Sequence, residues 1–136
     1  MSDSTFSSWG LAVLRLVVGI VFVYHGAQKL FIFGFHGVAG MFAMSGVPLP
    51  GVSAVVVTLV EFFGGIALIA GIATRLAATL IAIDMVCAIL LVHLKNGFSM
   101  QHNGYEFPLT LLAANICLML TGAGNISVEG ALRKRS

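Results

Sequence analysis

The chain has 136 residues, 59% of them hydrophobic and 9% charged, with a formal net charge of +2. A soluble domain carries about 25% charged residues, and a mean hydropathy of +1.05 leaves too little polar surface to cover a water-borne fold. These values exclude a soluble globular protein, and they give no support to nucleic-acid recognition, because the only basic run is the terminal Arg133-Lys134-Arg135.

The length fits one domain, residues 1–136, with room for about four spans of roughly 20 residues and short connections. The opening "MSDSTFSSWG" has no basic leader, and the first apolar run lacks a small-residue cleavage site, so the first helix is expected to stay. That run, about 10–31, carries Arg15, His25 and Lys29. His25 and Lys29 are one helical turn apart, and Arg15 falls within about 80° of His25 on the helical wheel. The three basic groups are therefore expected to face the bundle interior along one arc, with Val18 and Phe22 covering other faces.

Next comes "FIFGFHGVAGMFAMSGVPLPG", too rich in glycine and proline for a further span. It predicts a short interfacial helix over 37–45 and then a turn back into the membrane. The second run, about 52–73, holds Glu61 near its middle. A lone carboxylate at that depth must be paired, protonated or beside a water-filled cavity, and such residues mark sites and pathways. Gly64 and Gly65 follow it and would let another helix or a flat ligand approach the backbone.

The turn "GIATRLA" is short enough to make the second and third helices antiparallel neighbours. The third run, about 76–94, contains Asp84, placed by residue counting at the depth of Arg15, and the expectation is a structural ion pair between them. His93 matches His25 in depth, yet the wheel sets it opposite Asp84. Either Lys95 turns inward instead, or the helix unwinds before His93. The polar loop "HLKNGFSMQHNGYEFP" then brings Tyr105 and Glu106, and the fourth run, about 107–123, places Asn115 near the depth of Glu61.

No alternating pattern suggests strands, so the fold class is all-α: an integral membrane four-helix bundle with a short interfacial helix between the first and second spans. Cys87 and Cys117 sit in apolar runs without a CxxC, and no metal-ligand spacing is present. Arg75, Arg133, Lys134 and Arg135 fall on one side of such a bundle. The positive-inside rule then puts both termini in the cytoplasm of a bacterial inner membrane.

With these residues in view, the chain resembles the DoxX family of small four-helix membrane proteins. The resemblance rests on "LRLVVGIVFVYHGAQKL", "EFFGGIALIAGIATRLAA" and "LKNGFSMQHNGYEFPLTLLAANICLMLTGAGNIS", and covers nearly the whole chain. Its specific marks in combination are His25-Gly26 with Lys29-Leu30, Glu61 before Gly64-Gly65, and Asn96-Gly-Phe with Gly104-Tyr-Glu106. The family takes its name from a subunit associated with an archaeal terminal quinol oxidase, and relatives form part of thiosulfate:quinone oxidoreductase. The resemblance thus implies the fold and a redox or quinone connection, without supplying catalytic residues.

The expected function is a membrane subunit of a redox-associated complex that binds quinone between its helices. A quinone needs a flat apolar slot with a donor or acceptor at each carbonyl and a titratable group nearby. The candidate pocket residues are His25, Lys29, Glu61, His93, Tyr105, Glu106 and Asn115, with His25 donating to a carbonyl and Glu61 relaying protons. Two other readings are a small solute or proton transporter, its path running from Arg15 and Asp84 through Glu61 to His25, and a structural or assembly subunit. An independent enzyme has least support, since no cofactor-binding loop or nucleophile motif is present. The expected partners are the lipid bilayer and either other membrane or redox subunits or further copies of the chain.

Overall fold

A computed structural model describes residues 2–136. All regular structure among these residues is helical. Helix α1 runs Asp3–Ala27, starting on the Ser2 side chain, which accepts from the Thr5 N–H. It continues as a π-helical segment, Gln28–Phe33, and the chain then breaks direction at Gly34, where φ is +70°. Helix α2 covers Gly34–Met44, three residues earlier than the interfacial helix expected from the sequence. It packs on α3 through the fully buried Val38.

Helix α3, Pro50–Ala70, has proline in its first turn, where no N–H is needed, and ends on Gly71 in the left-handed region at φ +73°. Three residues after Gly71 α4 begins, Thr74–Ala88, and extends through a second π segment, Ile89–His93, and a 3₁₀ turn, Leu94–Asn96. A 3₁₀ turn at Met100–His102 leads to α5, Glu106–Thr121, and the short α6, Val128–Arg135, closes the chain.

Three helical stretches are long and apolar enough to cross a membrane: the one containing α1, α3, and α4 with its extension to Asn96. Helix α5 is apolar but has 16 residues, or about 24 Å, against a hydrocarbon core of about 30 Å.

The core follows helical spacing. Buried residues recur three and four apart on α3 (Ala54, Thr58, Glu61, Gly65, Leu68) and on α5 (Pro108, Leu111, Asn115, Leu118). On α1 the buried stripe is Arg15, Val18, Gly19, Phe22 and Gly26. Val18 and Phe22 therefore share the inward face with Arg15 instead of covering other faces, because three- and four-residue steps return to the same side. Outward, Val13, Leu16, Val17 and Ile20 of α1 and Val52, Val56 and Phe63 of α3 are exposed, as a lipid-facing surface requires.

Helices α1 and α3 meet most closely through glycine. A Cβ on Gly19 would lie 2.8 Å from the Gly65 carbonyl oxygen, and one on Gly26 would lie 2.6 Å from the Phe62 Cα. Lipid tails are as apolar as leucine, so such pairs gain from dense packing and not from leaving water. Gly65 thus admits a neighbouring helix, while Gly64 faces Ile81 of α4.

Candidate functional site

Between α1, α3, α4 and the start of α5 lies a cavity of about 340 Å³. Most of its wall is apolar, including Phe22, Val57, Met85, Leu91, Phe107 and Leu111, and five groups able to carry charge also line it: His25, Lys29, Glu61, Asp84 and His93. Phe42 and Val47, at the end of α2 and in the following turn, also contribute. Cys87 of α4 and Leu91 of the π segment after it line the cavity and keep exposed surface, which marks a seam in the wall there.

The polar centre is the ion pair between Lys29 Nζ and Glu61 Oε2 at 2.7 Å. The Glu61 side chain is 6% exposed and that of Lys29 19%. Two such charges stay in an apolar setting only because each neutralises the other; removing one partner would strand its mate at a cost of about 3–5 kcal/mol. Sequence reading brought both residues to the candidate pocket without pairing them.

Asp84 completes the centre. It lies ten residues after Thr74, the first residue of α4, as Glu61 lies ten before Gly71. Antiparallel helices joined by a tight turn therefore hold the two carboxyls at one level of the cavity wall. The expected pairing of Asp84 with Arg15 is not formed. Arg15 lies nearer the turn, where Nη1 donates to the Leu68 carbonyl at 3.2 Å and Nη2 to the Ile126 carbonyl. Counting from approximate span ends put the two at one depth; Arg15 sits level with Leu68, three residues from Gly71, whereas Asp84 lies ten residues from Thr74, roughly two helical turns further from the turn.

The histidines are set by the π segments. In a straight α-helix, residues nine apart point in opposite directions, and this is the conflict between Asp84 and His93. The wider turn of Ile89–His93 resets the register, so both residues line the cavity. Lys95 does not line it. His93 Nδ1 donates to the Asn103 carbonyl oxygen at 2.9 Å, which leaves Nε2 as the nitrogen without a protein partner among the described residues. His25 on the opposite wall packs edge-on to Tyr24, 5.6 Å between centroids, and tilted against Phe107 at 6.4 Å. The π segment that continues α1, Gln28–Phe33, contains Lys29. Each long wall of the site thus carries a π segment beside its polar groups.

Three candidate residues lie elsewhere. Tyr105 packs edge-on against Phe98, and Glu106 Oε2 accepts from the Met100 N–H at 3.0 Å. Both close the 97–106 loop on itself, helped by Tyr105 N–H donating to Gly97 and Glu106 N–H to Phe98. Asn115 is fully buried, with Nδ2 donating to the Leu111 carbonyl of its own helix at 2.8 Å. The residues that sequence reasoning left out of the pocket are Asp84, assigned to an ion pair, and the loop backbone at Asn103 and Gly104. Equal distance from the α3–α4 turn was the available signal for Asp84.

Comparison with known proteins adds relatives. The model of the DoxX family matches residues 10–94. The chain is 34% identical over 121 residues to a protein of Bacillus subtilis named putative oxidoreductase CatD, covering 88% of this chain and 84% of that one. It is 31% identical over 128 residues to the inner membrane protein YqjF of Escherichia coli, covering 93% and 94%. An uncharacterised membrane protein of Mycobacterium tuberculosis is 32% identical over 133 residues, covering 90% and 81%. No solved structure matches the chain.

Proposed function

The chain belongs to the DoxX family of membrane proteins, and from that premise we propose that it is a redox-associated membrane subunit whose cavity takes a quinone head group. The observation that carries this reading is the cavity itself: an apolar slot of about 340 Å³ with Lys29, Glu61, His25 and His93 on its wall. Ligand pockets of this kind begin at about 300 Å³ and fix their occupant with a few polar groups.

A bound quinone supplies two-electron, two-proton redox chemistry. Lys29 Nζ has three protons and spends one on Glu61, so two remain to hold a carbonyl oxygen. His25, one turn from Lys29 on the same wall, offers a ring nitrogen as donor or acceptor, and His93 on the opposite wall presents Nε2, whose orientation is fixed by the bond from Nδ1 to Asn103. Electrons come from a partner subunit in this reading. A relative named as an oxidoreductase supports the redox reading, and one named as an inner membrane protein supports that location. Helix α5 serves as the fourth span in this reading. The basic groups Arg75, Arg133, Lys134 and Arg135 then place both termini in the cytoplasm. A transport path is less well supported, because Val18, Phe22 and Leu68 form a buried apolar layer between Arg15 and the cavity.

The test uses the full chain in lipid nanodiscs, in a Cys117→Ser background that leaves Cys87 as the one thiol. A short-chain quinone is expected to slow maleimide labelling of Cys87, and Lys29→Met or Glu61→Gln to weaken that protection about tenfold, which is roughly 1.4 kcal/mol. Unprotected labelling at saturating quinone, or equal protection in both variants, removes the proposal.

A further inference from the structure

The Lys29–Glu61 pair accounts for one negative charge, yet the cavity wall holds two carboxyl groups. Asp84 Oδ2 is buried and has no hydrogen-bond partner among the described residues. The other carboxyl at its level of the wall is that of Glu61, and two ionised carboxyls cannot bond to each other because neither has a donor. The other charged or titratable groups of this layer are Lys29 and His25 on α1 and His93 on the π segment after α4; the facing part of α5 offers only Phe107, Pro108 and Leu111.

We propose that Glu61 and Asp84 share one exchangeable proton, so that Lys29, the two carboxyls and this proton form a neutral four-part centre at the wall of the cavity. The proton gives Asp84 Oδ2 the partner it lacks, and it brings the local charge to zero. An uncompensated carboxylate this far inside an apolar bundle would cost several kcal/mol. Carboxyls in contact sharing a proton is a recurring arrangement where a site must hold a proton ready for a ligand.

Asp84 thereby changes from the expected structural partner of Arg15 to a proton-holding group. A ligand oxygen at this wall takes the shared proton, leaving two carboxylates beside one ammonium, and a proton returned from that oxygen restores the neutral centre. The identity of this exchange partner rests on the quinone reading, whereas the shared proton does not.

Infrared spectroscopy of the full chain in nanodiscs tests this without any ligand. The wild type is expected to show the carbonyl band of a protonated carboxylic acid, shifted in heavy water and absent in both Asp84→Asn and Glu61→Gln. Asp84→Asn should melt within a few degrees of the wild type, because its amide N–H replaces the shared proton toward Glu61, whereas Asp84→Ala should melt lower. Absence of the band in wild type, its persistence in both variants, or Asp84→Asn melting as low as Asp84→Ala would overturn the proposal. A positive band together with a negative quinone titration removes the recipient and leaves the acid pair standing.

Discussion

The two ends of the bundle use buried charge in opposite ways. At the turn end, Arg15 is 3% exposed and gives its guanidinium to backbone carbonyls of α3 and of the loop before α6. Glu129 completes this clasp: its Oε1 accepts from the Thr74 N–H at 2.7 Å and its own N–H donates to Gly71. At the cavity end, Lys29 and Glu61 bond to each other across helices and, with Asp84, face an open volume. Charge bonded to backbone ties elements together, because a carbonyl at a helix end has nowhere else to turn. Charge bonded only to side chains at a cavity can be rearranged by whatever enters. Position in the same membrane therefore does not tell a strut from a site; the partner does.

Replacing Arg15 with leucine is the strongest challenge to this contrast. It removes two charge-assisted bonds and leaves the Leu68 and Ile126 carbonyls short of a donor, so stability should fall by about 3 kcal/mol. Reversible unfolding in mixed micelles measures this, and quinone protection of Cys87 in the folded fraction should be unchanged. Lost protection at intact stability would erase the distinction between the two ends.

A point substitution addresses the other end. His93→Leu keeps the Ile89–His93 segment and removes the ring nitrogens that the segment turns toward the cavity. Ligand affinity is expected to fall about tenfold, roughly 1.4 kcal/mol, with helix content by circular dichroism retained. Unaltered affinity would show that the π segment serves packing alone.

The smallest effect belongs to Glu129→Gln. The side chain still accepts from Thr74, but it no longer places a negative charge at the start of α4 or near Arg15, and about 1 kcal/mol should be lost. The melting temperature in nanodiscs checks this, and Cys87 labelling should not respond.

Much of this contrast could be read from the sequence, and the part that could not has definite causes. The Glu61 stripe on α3 follows three- and four-residue spacing, and mid-membrane charge marked Glu61 as part of a site. Lys29 and His25 were assigned to one face by the same periodicity. The pairing of Arg15 failed because counting from approximate span ends misjudged its height by roughly two turns, and because its true partners are carbonyls, which no side chain advertises. His93 was ambiguous because a π segment changes the wheel without a composition signal. Tyr105 and Glu106 fold back on their own loop through backbone bonds that polarity alone does not reveal.

The seam at Cys87 and Leu91 sets the concentration scale of the site. An apolar ligand that enters between helices from the bilayer never crosses water, so its supply is counted per lipid and its arrival depends on lateral diffusion within the leaflet. Two preparations with equal aqueous quinone but different lipid-to-protein ratios should then show different occupancy. Affinities for this protein are most meaningfully expressed as mole fractions in the membrane.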